Sequence, residues 1–109
     1  MAYDGGLAQR IREVFDGNTG VDERKMFGGI AFMVEGNMCV GVAGDELMVR
    51  VGPDQYEHSL AQPHARKMDF TGKAMKGMVY IGADGIDSDS GLKSWVERGL
   101  AFVTTLPPK

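Results

Sequence analysis

Two glycine-containing dipeptides, Gly36-Asn37 and Gly44-Asp45, divide residues 29–51 into three runs of similar length. Within these runs the apolar side chains recur at about every second residue, which is the period of a β-strand. Both dipeptides suit the positive φ angles of two-residue hairpin turns. The segment therefore predicts an antiparallel meander. Its three strands are expected at about residues 29–35, 38–43 and 46–51.

Helices are predicted on both sides of this meander in the sequence. Residues 6–15 and 90–106 place apolar side chains at helical spacing. A short helix is expected from Pro53, because proline followed by Asp54 is typical of a first helical turn. Ser88 or Asp89 is the expected N-cap of the last helix.

Further strands complete the predicted sheet. Met78–Ile81 has the residue types of a β-strand, and another strand is expected near residues 24–27. The predicted fold class is α+β, with the element order α-β-(β)-β-β-α-β-α in one domain covering residues 1–109. We expect a single mainly antiparallel sheet with its helices packed on one face.

The predicted register assigns the strand residues to two faces of the sheet. If each turn contains two residues, Phe32 faces Gly41 and Val34 faces Cys39. One face is then almost wholly apolar and is expected beneath the helices. The other mixes apolar and charged groups, which is typical of a protein contact, unless the loop at residues 64–77 covers it. The predicted interface residues on this second face are Ile30, Phe32, Val34, Met48 and Arg50.

Glycines at turns and strand entrances are interpreted as structural. The Gly28-Gly29 pair lacks the G-x-G-x-x-G spacing and the strand–turn–helix context of a phosphate-binding loop. Gly41 is expected to leave room for the ring of Phe32. The glycines interpreted in this way are Gly28, Gly29, Gly36, Gly41 and Gly44.

Catalytic and metal-binding patterns are weak. Cys39 is the single cysteine, and pairing it with His58 or His64 and with Arg50 gives an alternative hypothesis of an unrecognised enzyme or small ligand-binding protein. The acidic run that begins at Asp84 lacks the final glutamate of a calcium loop. We expect no cofactor and no metal.

The charge distribution bears on nucleic-acid binding. The net charge of −3 does not favour DNA or RNA as a direct partner. One basic cluster interrupts this balance, and it supports a weaker alternative of direct DNA contact or of an acidic partner. Its members are Arg66, Lys67, Lys73 and Lys76.

The cellular compartment is also constrained. The sequence has no apolar run near the ~20 residues that span a bilayer. Its first residues do not resemble a signal peptide, and it has a single cysteine. We expect a cytoplasmic protein without membrane association.

Residues 24–52 strongly resemble the N-terminal domain family of TfoX, also called Sxy, a regulator of competence. The motifs that carry the resemblance are Phe27-Gly28-Gly29, Glu35-Gly36-Asn37 and Asp45–Arg50. The later stretches MKGMVYIG and LKSWVERGLAFVTTLPPK resemble short stand-alone members, so the likeness covers about residues 7–109. We therefore expect no second, C-terminal domain of the kind that the two-domain regulator has.

The resemblance implies an α+β fold and a role in transcriptional control. In the two-domain regulator that role concerns DNA-uptake genes and a cyclic-AMP receptor protein, and the family supplies no catalytic residues. The leading hypothesis is a non-enzymatic interaction module that acts through a protein partner, such as a transcription factor. Self-association as a homodimer is a further expectation.

Overall fold

A computed structural model describes residues 5–17, 20–26, 29–67 and 77–107 of the chain. Its helices are α1 (Gly5–Val14), α2 (Tyr56–Leu60) and α3 (Asp89–Val103), with a 3₁₀ turn at Ala83–Gly85. Its strands are β1 (Val21–Met26), β2 (Gly29–Val34), β3 (Asn37–Ala43), β4 (Glu46–Arg50), β5 (Ala65–Lys67) and β6 (Met78–Ile81).

The six strands form one open antiparallel sheet in the order β1-β2-β3-β4-β6-β5. All three helices contribute apolar side chains to a single buried cluster with the strands, so they cover the same face of the sheet. This helical face confirms the predicted α+β class. None of the helices in the described ranges is long and apolar enough to cross a bilayer.

Helix α3 covers the largest part of the helical face of the sheet. Of the two N-caps that the sequence allows, Ser88 or Asp89, the structure has Ser88, whose hydroxyl accepts a hydrogen bond from the Gly91 backbone N–H at 3.0 Å. Gly99 lies directly over the sheet, because a Cβ at this position would be only 3.0 Å from both the carbonyl oxygen and the Sγ of Cys39. The absence of a side chain at Gly99 therefore sets how closely α3 approaches β3.

The register of β2 against β3 differs from the prediction by two residues next to the turn and by one residue beyond a bulge. The turn consists of Glu35 and Gly36, with φ angles of 53° and 82°, and Val34 pairs with Asn37. Asn37 belongs to the strand because its side chain is buried and donates a hydrogen bond to the Pro107 carbonyl at 3.0 Å. The prediction that Gly36-Asn37 forms this turn is therefore wrong.

A β-bulge then shifts the pairing again. Met33 pairs with Met38 but Phe32 pairs with Val40, so Cys39 is the extra residue. Because a one-residue slip exchanges the two faces of a strand, the face prediction for β2 is wrong. Three residues predicted on the uncovered face lie instead in the core beneath the helices: Ile30, Phe32 and Val34.

The register of β3 against β4 is as predicted, with Val42 opposite Leu47 and Gly41 opposite Met48. Other boundaries differ from the predictions. Helix α2 starts at Tyr56, three residues after Pro53, and β5 lies where the sequence predicts irregular structure.

The second face of the sheet carries methionines. Met48 and Met78 form a small buried cluster against which Met38 and Tyr80 pack. Met33 shares this face because it pairs with Met38. The four methionines 33, 38, 48 and 78 define what we call the methionine face.

Candidate functional site

A cleft of about 430 Å³ lies between the loop that follows β4 and the C-terminal half of α3. Val51 and Phe102 provide apolar surface, and Pro53, Asp54 and Arg98 are among the other lining residues. The lining is mainly apolar with charged groups beside it, which is the composition of a small recognition site. We call it the α3 cleft.

The backbone of residues 51 and 52 shapes this cleft. The N–H groups of Val51 and Gly52 both donate to the Gly77 carbonyl, at 2.8 and 3.1 Å. Gly52 has a φ of 85°, and a Cβ there would lie 2.3 Å from Cδ1 of Phe102. The glycine therefore allows the loop to turn and lets the Phe102 ring lie against the backbone.

Two arginines are stacked on aromatic rings at this site. The guanidinium carbon of Arg50 is 5.3 Å from the centroid of the Phe102 ring, and that of Arg98 is 4.9 Å from the centroid of the Trp95 ring. In the part of the chain that the structure describes, neither arginine has a carboxylate within ion-pair distance. Stacking restrains a guanidinium but leaves its N–H donors available, so both are suited to binding an acidic group.

The predicted interface residues do not form one surface. Ile30, Phe32 and Val34 are buried on the helical face, and Phe32 stacks on Phe15 with ring centroids 6.0 Å apart. Met48 is on the opposite face but has no exposed surface. Arg50 contacts the α3 cleft through Phe102 and is only partly buried.

Cys39 is beneath α3 and is inaccessible. Its side chain has no exposed surface, and burial raises the pKa of the thiol to about 12. His58 and His64 are both exposed, and no hydrogen bond joins either of them to Cys39. Because a nucleophilic cysteine requires a lowered pKa, this arrangement does not support the cysteine–histidine alternative.

The predicted basic cluster is described only in part. Lys73 and Lys76 lie outside the described residues, as does the side chain of Lys67. Arg66 is on β5, where it forms an ion pair with Glu46 and stacks on the Tyr80 ring at 4.6 Å. Its charge is therefore already engaged by a carboxylate within the sheet.

The predicted structural glycines have different surroundings. Gly29 permits close backbone approach, since a Cβ there would lie 1.8 Å from the Val42 carbonyl oxygen. Gly36 and Gly44 occupy the two hairpin turns with positive φ. Gly28 lies outside the described residues.

The prediction that Gly41 leaves room for the ring of Phe32 is wrong. The cross-strand neighbours of Gly41 are Ala31 and Met48, and a Cβ at Gly41 would be 2.7 Å from Cε of Met48. The glycine therefore makes room for a methionine on the methionine face, not for the Phe32 ring on the helical face.

Among the side chains that the structure describes, no group of three or more histidines, cysteines or acids is placed to hold a metal ion. The residues that sequence reasoning missed are Arg98 and Phe102. Arg98 follows Trp95 by three positions on a predicted helix, which is the spacing of neighbouring side chains. That spacing was a usable signal for the stacked arginine, whereas the approach of Phe102 to Gly52 depends on tertiary structure.

These features define an α+β module with one open antiparallel sheet, helices on one face and a cleft beside its longest helix. A family model described as the TfoX N-terminal domain matches residues 13–103. The chain therefore belongs to the TfoX N-terminal domain family. A comparison with curated proteins found no match, and a comparison with solved structures found none either.

Proposed function

We propose that this chain is a non-enzymatic interaction module that acts in transcriptional regulation by binding a protein partner through the α3 cleft. Membership of the TfoX N-terminal domain family supports the regulatory role. The observation that supports this particular site is the pair of stacked arginines, Arg50 and Arg98, beside an apolar cleft.

The chemistry of the cleft specifies the kind of partner. Val51 and Phe102 favour an apolar anchor, and the two guanidinium groups favour carboxylates next to it. The proposed occupant is therefore a partner segment in which a large apolar residue is flanked by acidic residues. The guanidinium groups of Arg50 and Arg98 disfavour a basic segment through like-charge repulsion.

A peptide titration tests this occupant. The probe is a short peptide with a leucine and a phenylalanine flanked by glutamates, and the control is the same peptide with lysines in place of the glutamates. The protein carries ¹⁵N, and amide shifts of Gln55, Ala101 and Thr105 report on the cleft. We expect the acidic peptide to shift these signals and the basic peptide to leave them unchanged.

Two charge reversals on the same helix provide a matched comparison. Arg98→Glu removes the stacked guanidinium, whereas Lys93→Glu makes the same charge change at an exposed position outside the cleft. Binding of the acidic peptide should weaken about tenfold or more in the Arg98 variant only. Equal effects of the two substitutions would show that net charge, not the cleft, attracts the peptide.

The regulatory role needs a readout in cells. Affinity capture from the native cell is carried out with the wild-type protein and with each of the two variants. It should identify a partner that the wild type and Lys93→Glu retain and that Arg98→Glu loses. Deletion of the gene should alter transcript levels, and only the Lys93→Glu variant should restore them. Restoration by Arg98→Glu as well would contradict a role for the cleft in regulation.

A further inference from the structure

Strand β1 is one edge of the sheet and consists largely of charged residues. Its neighbour is β2, and no strand of the described ranges lies on its other side. The four consecutive residues Asp22, Glu23, Arg24 and Lys25 are all exposed. An edge of this length presents unpaired backbone donors and acceptors to any strand that can pair with it.

The hydrogen bonding of β1 shows which backbone groups point outward. The Glu35 N–H donates to the Gly20 carbonyl at 2.9 Å, so the backbone groups of Gly20 point towards β2. In antiparallel pairs this orientation alternates along the strand. The N–H and C=O groups of Val21, Glu23 and Lys25 therefore point away from the sheet.

The side chains of β1 alternate between the two faces. Glu23 is opposite Phe32, on the helical face, and Arg12 of α1 holds its carboxylate with hydrogen bonds of 2.7 and 2.8 Å. This bond is the main reason why the pKa of Glu23 is lowered. Asp22 and Arg24 lie on the other face, opposite Met33 and Ala31.

We propose that β1 pairs with β1 of a second copy of this chain, antiparallel about a twofold axis at Glu23. In this register Val21 hydrogen-bonds with Lys25 of the second copy, and Glu23 with Glu23 of the second copy. These are the residues whose backbone groups point outward, so the pairing completes hydrogen bonds on both edges. The two sheets become one, with the helices of both copies on the same face.

The side-chain charges complement each other in this register. Asp22 stands opposite Arg24 of the second copy, and the twofold axis repeats this pair. Both are at non-hydrogen-bonded positions, where opposing side chains are closest. The two Glu23 carboxylates meet at the axis, but each is already paired with its own Arg12. The neighbouring register, centred on Arg24, would instead oppose two arginines, for which the described residues supply no ion-pair partner.

Charge swapping tests the pairing. Sedimentation velocity over a range of protein concentrations should show conversion of the 11.8 kDa chain to a species of twice that mass. Asp22→Arg and Arg24→Asp should each weaken dimerisation roughly tenfold, because each places two like-charge pairs across the axis. The double variant Asp22→Arg/Arg24→Asp restores opposite charges and should recover the wild-type dimer.

A backbone block gives an independent test. Lys25→Pro removes an outward N–H, which an edge strand tolerates, and so should abolish the dimer while leaving the fold intact by circular dichroism. A wild-type chain that stays monomeric at all concentrations would overturn the proposal. The charges of β1 would then serve to prevent the edge strand from pairing with another chain. A dimer that survives both single charge changes and the proline would place the interface elsewhere and overturn it equally.

Discussion

Replacing Phe32 with alanine tests the placement of β2 most directly. Phe32 is 1% exposed, lies in the core beneath the helices, and stacks on Phe15 at 6.0 Å and 29° between the ring planes. Truncating a buried phenylalanine costs about 3–5 kcal/mol through lost transfer free energy and an unfilled cavity. This is a large part of the stability of an ordinary domain, about 5–15 kcal/mol.

The expected shift in melting temperature follows from the size of the chain. An unfolding entropy of about 2.1 cal/mol/K per residue gives roughly 0.2 kcal/mol/K for a chain of 109 residues. Phe32→Ala should therefore lower the melting temperature by about 13–22 °C. Urea unfolding at fixed temperature should give the same loss of free energy with an unchanged m-value.

Met38→Ala is the matched control. Met38 is partly exposed on the methionine face, so its truncation should cost about 1 kcal/mol. The register predicted from the turns alone reverses this order, since it places Met38 beneath the helices and Phe32 on the uncovered face. A Phe32 variant no less stable than the Met38 variant would refute the bulge at Cys39. A double-mutant cycle with Phe15→Ala should add a coupling of about 0.5–1.5 kcal/mol.

Three further predictions follow from single contacts. Gly99→Ala should destabilise the fold by about 1–3 kcal/mol in thermal unfolding, although alanine favours helices, because the new Cβ meets the Cys39 carbonyl. Asn37→Ala should cost about 1–2 kcal/mol in urea unfolding, because it frees the carbonyl of Pro107. Cys39 should resist thiol reagents at neutral pH until the protein unfolds. Burial raises the pKa of the Cys39 thiol from 9.0 to about 12. The stability that this thiol contributes is therefore complete below pH 9 and is lost as the pH rises towards 12. Alkaline unfolding of wild type and of Cys39→Ala would measure this loss.

Local patterns sufficed for most of the helices and strands, though not for β5, and for one of the two hairpin registers. The spacing of apolar residues predicted α1 and α3, and the Gly44-Asp45 turn predicted the pairing of β3 with β4. These features depend on residues close in sequence. The predicted start of α2 at Pro53 is too early, because residues 53–55 form a turn before the helix begins at Tyr56.

The register of β2 could not be predicted from local patterns, because a contact with a residue distant in sequence determines it. Asn37 has the composition of a turn residue, yet its side chain is held by Pro107, 70 positions later. The extra residue at Cys39 then lets both Cys39 and Val40 face α3, next to Gly99. No local signal reports either contact, so the predicted interface moved from the uncovered face into the core.

The cleft was unpredictable for a related reason. Arg50 was expected to stand on the sheet beside Cys39, but it contacts the ring of Phe102 on α3. That contact depends on the turn at Gly52, whose positive φ brings the loop under the helix. A residue at the end of a strand is thus placed by the segment that follows it more than by the alternation of the strand.

The two proposed surfaces do not compete for space, and this has a consequence for binding. The edge strand β1 is separated from β4 by β2 and β3, and the α3 cleft begins where β4 ends. At a strand spacing of about 4.8 Å, seven steps across a continuous dimer sheet separate the two β4 strands by roughly 34 Å. A dimer would therefore present two clefts related by a twofold axis, and a symmetric partner with two acidic segments would bind it by avidity. Monomeric Lys25→Pro should then bind a single acidic peptide as tightly as wild type does, but should lose affinity for the same peptide displayed twice on a linker that spans this distance.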